Sequence, residues 1–305
     1  MREPLFARRT FLKAAAAGAA GAAIGGSLGA PRAARAEAQP PSDGGPIKLG
    51  VASYSLRNFP REKAIEMVKA LRTPYVNIKS VHADYALSPA ELAAARAEFE
   101  AAGLQVVGGG TITFGEDTDA DVQRYFAYAR QAGMPLIVAT CAPAVLPRVE
   151  RFAKRYDVRV AIHNHGPEDP HYPSPHDVLR HVRDMDPRMG LCIDVGHTVR
   201  TSTDVVQAIA DAGPRLHDLH AKDLTDLTRR DSQVAVGEGK IPIAGIFRAL
   251  QTIRFPGYVN LEYEINAKDP LPGMQISFAH MRGVLAGLAE GSAAAPAKGS
   301  AKART

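Results

Sequence analysis

Short runs rich in Val, Ile, Leu and Tyr alternate with longer Ala/Leu/Arg/Glu segments whose apolar residues recur every three to four positions. The short runs predict eight buried strands, at 47–54, 75–80, 105–112, 135–140, 158–163, 189–195, 216–219 and 258–262. The longer segments predict helices starting near Arg61, Ser88, Thr118, Pro143, Pro175, Thr203, Ile241 and Met274. Ser88-Pro89-Ala90-Glu91 and Ser174-Pro175 carry a capping serine followed by proline in the first turn, while Gly103 and Gly133 follow helices as terminators. Strand–helix alternation throughout predicts a parallel sheet covered by helices. Eight such units in about 245 residues suit one closed (β/α)8 barrel better than an open sheet. Gly108-Gly109-Gly110, at the end of the third run, marks either a close backbone approach near the barrel mouth or a bend.

The ends of the chain read differently. Arg8-Arg9-Thr10-Phe11-Leu12-Lys13, a weakly apolar Ala/Gly stretch and Ala34-Arg35-Ala36 have the form of a twin-arginine export signal with a cleavage site. The stretch is too short and too weakly apolar to span a bilayer, which takes about 20 apolar residues. The expected organisation is therefore a signal over 1–36, a linker over 37–46, the barrel over 47–290 and a solvated, disordered tail over 291–305, with the mature protein periplasmic and not inserted in the membrane. The whole chain carries a formal charge of +5, from 37 basic and 32 acidic residues. Six basic residues and one acid lie in the signal, so the mature chain holds 31 of each sign and offers no electrostatic case for a nucleic-acid partner. The two cysteines, Cys141 and Cys192, lie in apolar runs and read as core thiols rather than a disulfide framework.

In a parallel barrel the C-terminal strand ends share one mouth, so polar residues there carry the chemistry. They are Lys79 and His82, His163 and His165, Asp194 and His197, His220 with Lys222 and Asp223, and Glu262 with Glu264. Any one alone is more often structural: a strand-end Asp commonly caps the next helix, and a lone His satisfies the core. Together, several ionisable groups in one concavity need neutralising, and a divalent cation does that directly. Two imidazoles with two carboxylates suit Mn²⁺, Zn²⁺, Fe²⁺ or Co²⁺.

Four motifs carry a resemblance: Asp-Val-Gly-His from Asp194, His-Ala-Lys-Asp from His220, Gly237-Glu238-Gly239, and the closing Gly-Tyr-x-x-x-Glu-Tyr-Glu. They resemble the xylose-isomerase-like TIM barrels, which include sugar isomerases and epimerases, inosose dehydratases and, more distantly, apurinic endonucleases. The resemblance spans about residues 47–288 and implies a metal held by the fifth to eighth strands, with Mn²⁺ favoured. Asp194, His220 and Glu262 match the family's Asp, His and Glu. The fifth-strand ligand, commonly Glu in a Glu-Asn-His run, is here His163 in His163-Asn164-His165, with His165 its rival.

The implied reaction is proton removal next to a polarised carbonyl of a keto-sugar, through a cis-enediolate. Glu262 is the expected first base, and His163, His165, Glu264 or Lys79 the second acid/base group. His197 resembles the family's substrate contact, with His82 and Glu264 also placed at the substrate. Lys222 either holds a developing oxyanion or pairs with Asp223, and Lys79 either binds substrate or only neutralises the pocket. Replacement of the fifth-strand carboxylate also admits a lyase that cleaves a keto-glycoside by β-elimination, or a non-catalytic periplasmic sugar-binding barrel. The absence of a Gly-rich phosphate cradle before the last helix favours an unphosphorylated carbohydrate. The long loop over 223–240 is expected to cover the mouth or to join a second subunit in a homo-oligomer.

Overall fold

The computed structural model describes residues 47–293, so the expected signal, the linker up to residue 46 and the tail from residue 294 lie outside the described residues. Eight strands close into a barrel: β1 (Lys48–Ala52), β2 (Tyr75–Ile78), β3 (Gln105–Phe114), β4 (Leu136–Cys141), β5 (Arg159–His163), β6 (Met189–Asp194), β7 (Leu216–Ala221) and, after a small ribbon of β8 (Asp223–Leu224) and β9 (Gln233–Val234), β10 (Tyr258–Leu261). All barrel pairings are parallel, and β1 closes the ring on β10 with Lys48 opposite Tyr258 and Val51 opposite Leu261. This is the single (β/α)8 barrel that the alternating pattern predicts.

The helices are α1 (Arg61–Ala70), α2 (Pro89–Ala101), α3 (Asp119–Gln131), α4 (Leu146–Tyr156), α5 (Pro175–Val182), α6 (Val195–Arg200), α7 (Val205–Ala212), α8 (Ile243–Thr252) and α9 (Leu271–Ala293). Their local signals act as the sequence predicts. Glu91 N–H donates to Ser88 Oγ at 3.3 Å while Ser88 N–H donates to the Glu91 carboxylate at 2.7 Å, a reciprocal cap on α2. Gly103 and Gly133 take φ of 77° and 71°, the left-handed conformation in which a Cβ is strained. Two helix starts shift: α9 begins at Leu271, ahead of the expected Met274, and Pro143–Val145 forms a 3-10 turn before α4. The end of α9 reaches Ala293, three residues into the expected tail.

The main apolar core lies between the sheet and the helices, with Phe99, Phe126, Phe152, Phe247 and Phe278 among its largest buried members. Inside the barrel lies a separate small apolar cluster, Leu136, Val138, Ala161 and Cys192. Strand alternation places His163 on the face of Ala161, Asp194 on that of Cys192 and Asp218 on that of His220. The lumen therefore carries buried polar groups that point toward one end. The three glycines of β3 are a close approach in the barrel wall rather than at the mouth: a Cβ at Gly110 would collide with the backbone of Val138, and the β3–β4 register slips between Gly109 and Ile112.

Candidate metal centre

Three strand ends and the residue after a fourth strand build the site. His163 ends β5, Asp194 ends β6, His220 lies one residue from the end of β7, and Glu262 follows β10. Their ligand atoms all lie within 4.8 Å of one another, and all four residues are buried. His163 Nε2 is 3.1 Å from His220 Nδ1 and 3.7 Å from Asp194 Oδ2; His220 Nδ1 is 3.2 Å from Glu262 Oε2. Donors about 2.1 Å from one ion are separated by at most about 4.2 Å, so small side-chain movements suffice to bring this set onto a shared cation.

The electrostatics fit a cation as well. Asp194 has two jobs: Oδ1 accepts the His197 backbone N–H at 2.8 Å and caps α6, whereas Oδ2 faces the cluster and the Lys222 ammonium. Asn164 fixes the strand end, its Oδ1 accepting from Asp194 N–H at 3.0 Å and its Nδ2 donating to Thr198 Oγ1 at 3.2 Å. Burial, with His165 and His220 nearby, pushes the His163 imidazole well below its usual range, which leaves it neutral with a lone pair to offer. For Glu262, burial opposes ionisation, but the Lys222 ammonium and His220 outweigh it and hold the carboxyl well below the usual range.

Lys222 is surrounded by carboxylates that the sequence did not pair with it. Its Nζ lies 3.0 Å from both Asp194 Oδ2 and Glu262 Oε2 and 2.6 Å from Glu264 Oε2, at the edge of the ligand set. Among the described residues its ion pairs are with these three carboxylates and not with Asp223. Asp223 instead accepts four backbone N–H groups, from Leu224, Gly237, Gly239 and Ile241, and so shapes the loop over 223–240.

His165 stands outside the cluster, one-third exposed at the mouth, with its ring 4.3 Å from that of His163 and Nδ1 3.3 Å from Asp169 Oδ2. The His197 ring lies 5.6 Å from that of His165, and its Nδ1 meets Arg200 Nη1 at 3.0 Å. Arg200 in turn pairs with Glu168, a link with no signal in the spacing of the sequence. Lys79 Nζ donates to Thr111 O at 2.8 Å and lies 5.5 Å from the centre of the Tyr54 ring, and burial lowers its pKa.

His82 requires a correction. Both its ring nitrogens are engaged, Nδ1 with Ser53 Oγ at 2.9 Å and Nε2 with Phe59 O at 3.2 Å, so it ties the β1–α1 connection to the β2 end and offers no nitrogen to a substrate. Asp218, by contrast, was missed: it lies beneath the cluster, its Oδ2 3.9 Å from His220 Nε2, and alternation from His220 is the signal that places it there.

Solved structures with this fold include an uncharacterised protein from Parabacteroides distasonis ATCC 8503, 25% identical with a TM-score of 0.61 over 78% of this chain and 98% of that one. An L-ribulose 3-epimerase matches at 15% identity and a TM-score of 0.68 over 83% of this chain and 99% of its own. The 3-keto-D-glucoside 4-epimerase of E. coli matches at 16% identity and 0.62 over 78% and 99%. No curated protein matches the sequence. The family model for xylose isomerase-like TIM barrels matches residues 63–284, and the chain belongs to that family.

Proposed function

We propose that the protein is a divalent-metal-dependent enzyme that epimerises or isomerises a keto-sugar or related carbohydrate. The observation that carries this reading is the convergence of His163, Asp194, His220 and Glu262, from four different strands, within 4.8 Å. Mn²⁺ suits the two carboxylates and an oxygen-rich substrate, with Zn²⁺, Fe²⁺ and Co²⁺ as alternatives. A cation bound there supplies Lewis acidity that makes the C–H next to a sugar carbonyl acidic. Glu262 takes that proton, and His165, open to the mouth and oriented by Asp169, returns one to the opposite face. Lys222 donates to the oxygen that gains charge, and His197 binds a substrate hydroxyl. The twin-arginine motif extends the proposal to export and work in the periplasm.

One observation favours a second reading. The fifth strand supplies the neutral imidazole of His163 where an epimerase pair needs a second carboxylate, so deprotonation followed by loss of a β-substituent, a keto-glycoside lyase reaction, suits the same site. Mn²⁺-loaded protein incubated in D₂O with ketoses and 3-keto-glycosides separates the two. Epimerisation gives deuterium at an inverted carbon, elimination gives an enone and free aglycone, and Asp194→Ala abolishes either. Sugar binding without turnover, equal in the metal-free protein, would leave only a binding barrel.

A further inference from the structure

The lumen below the metal centre holds a carboxylate that the proposed reaction does not use. Asp218 is 1% exposed and sits two residues before His220 on β7, on the same strand face. Two amides fix it: Asn260 Nδ2 donates to Oδ1 at 2.8 Å and Asn77 Nδ2 to Oδ2 at 3.2 Å. A buried carboxylate is costly in a barrel interior, where branched apolar residues ordinarily fill the layers.

His220 supplies the reason for it. Its Nδ1 faces the ligand set, 3.1 Å from His163 Nε2 and 3.2 Å from Glu262 Oε2. With Nδ1 turned to the mouth, Nε2 points down the barrel, where it lies 3.9 Å from Asp218 Oδ2, the nearest carboxylate below the ligand set, with the weakly hydrogen-bonding Cys192 thiol also beside the ring. That gap is about 1 Å longer than a hydrogen bond, within reach of a modest rotation of the ring toward the barrel floor.

We infer that Asp218 is the positioning residue for His220, accepting its Nε2–H and so keeping the Nδ1 lone pair aimed at the metal. An imidazole that binds metal through one nitrogen and donates from the other to a carboxylate has one tautomer and one orientation, and its ligating nitrogen is more basic. Asn77 and Asn260 hold the carboxylate in place for this task. The amide of an asparagine at position 218 has one oxygen instead of two and cannot accept from both neighbours and from His220.

The inference rests on the metal reading, and the test separates the two. Wild-type protein loaded with diamagnetic Zn²⁺ and labelled with ¹⁵N-histidine is expected to show His220 bound through Nδ1, with a slowly exchanging proton on Nε2. In Asp218→Asn, chelator competition is expected to show about 10–100-fold weaker Mn²⁺ binding. Its metal-free circular dichroism and melting midpoint should stay close to wild type, and Asn260→Ala, which frees one oxygen of Asp218, should give a smaller loss. If Asp218→Asn fails to fold, the wild-type imidazole spectrum alone decides. Ligation through Nε2, or unchanged Mn²⁺ affinity in folded Asp218→Asn, overturns the role of Asp218 and leaves the metal centre standing. Wild-type protein that takes up neither ion overturns the metal reading itself.

Discussion

Lys222 is 4% exposed, with three carboxylates within 3.0 Å of its ammonium. Buried ions recover their lost hydration only through their partners, and deleting one partner typically costs about 3–5 kcal/mol. Lys222→Met is therefore expected to destabilise the metal-free protein by about that amount in a denaturant titration. Saturating Mn²⁺ should recover more stability in the variant than in wild type, because the ion takes over the neutralisation of Asp194 and Glu262. Equal stability of the two metal-free proteins would show that Lys222 is not an integral part of the charge balance. A second residue sets a pH dependence. Burial, with Arg159 beside it, pushes the His217 imidazole down to about 3 from an ordinary 6.5. Below pH 6.5 the unfolded chain binds a proton that the folded one refuses, so this residue's stabilisation is full above 6.5 and is lost as pH falls toward 3, by about 1.4 kcal/mol per unit. Asp218 acts in the opposite sense: burial raises its carboxyl from 3.8 to about 6, so its stabilisation is present on the acid side and is lost as pH rises through 6. The two slopes offset each other between 3.8 and 6. The signature is thus a difference: the stability of wild type minus that of His217→Gln should climb with pH up to 6.5 and then level off. A flat difference curve would mean that His217 titrates normally in the fold.

At the scale of elements, the loop after β7 is tied to the site through one side chain. Gln233, on β9, donates from Nε2 to Glu262 O at 2.9 Å and accepts the Glu264 N–H on Oε1 at 3.2 Å. It thus carries support past the last ladder bond, from Glu262 N–H to Ala221 O at 2.9 Å, where the chain turns both Glu262 and Glu264 toward Lys222. Gln233→Ala is expected to cost about 1–3 kcal/mol, to speed hydrogen exchange at the Glu264 amide and to weaken Mn²⁺ binding. Exchange unchanged at that amide would mean that the loop only lies over the mouth. This coupling also shows where sequence patterns stop. The eight barrel strands were legible because buried parallel strands are continuous apolar runs, and Asp194, His220 and Glu262 were legible because they end such runs. The β8–β9 ribbon was not, since strands of two residues have no period. Neither was α6: Asp194 closes β6 and caps the helix in one step, which leaves no polar gap between the elements. His82 was misread because the rule that strand ends face the mouth does not hold once the chain turns away, and here Ser53 and Phe59 take both of its nitrogens.

For the whole molecule, the site depends on four strands that are neighbours in the ring. Glu262 follows β10, which pairs with β7 as well as with β1, so the four residues lie on the consecutive strands β5, β6, β7 and β10, and β1 closes the ring beside them across some two hundred residues of chain. A cation that binds the closed barrel and not the open chain stabilises it by mass action, about 2.7 kcal/mol at a hundred times its dissociation constant. The β1 strand begins at Lys48, so removing residues 1–46 leaves every ligand and every barrel pairing in place. The truncated protein is expected to show the full Mn²⁺-dependent rise in unfolding free energy, and Glu262→Ala to show little of it. The same linkage gives the proposed export route a physical role: a chain that folds before it crosses the membrane closes its barrel around the ion available inside. Outside, the site would take whichever competing metal binds most strongly, because affinity for nitrogen and oxygen donors follows the metal series rather than the need of the reaction. Replacing residues 1–36 with a leader that exports the unfolded chain should therefore change the metal recovered with the protein from the periplasm, read by elemental analysis of each form. Identical metal content by both routes would remove the case for loading before export while leaving the closed-barrel linkage intact.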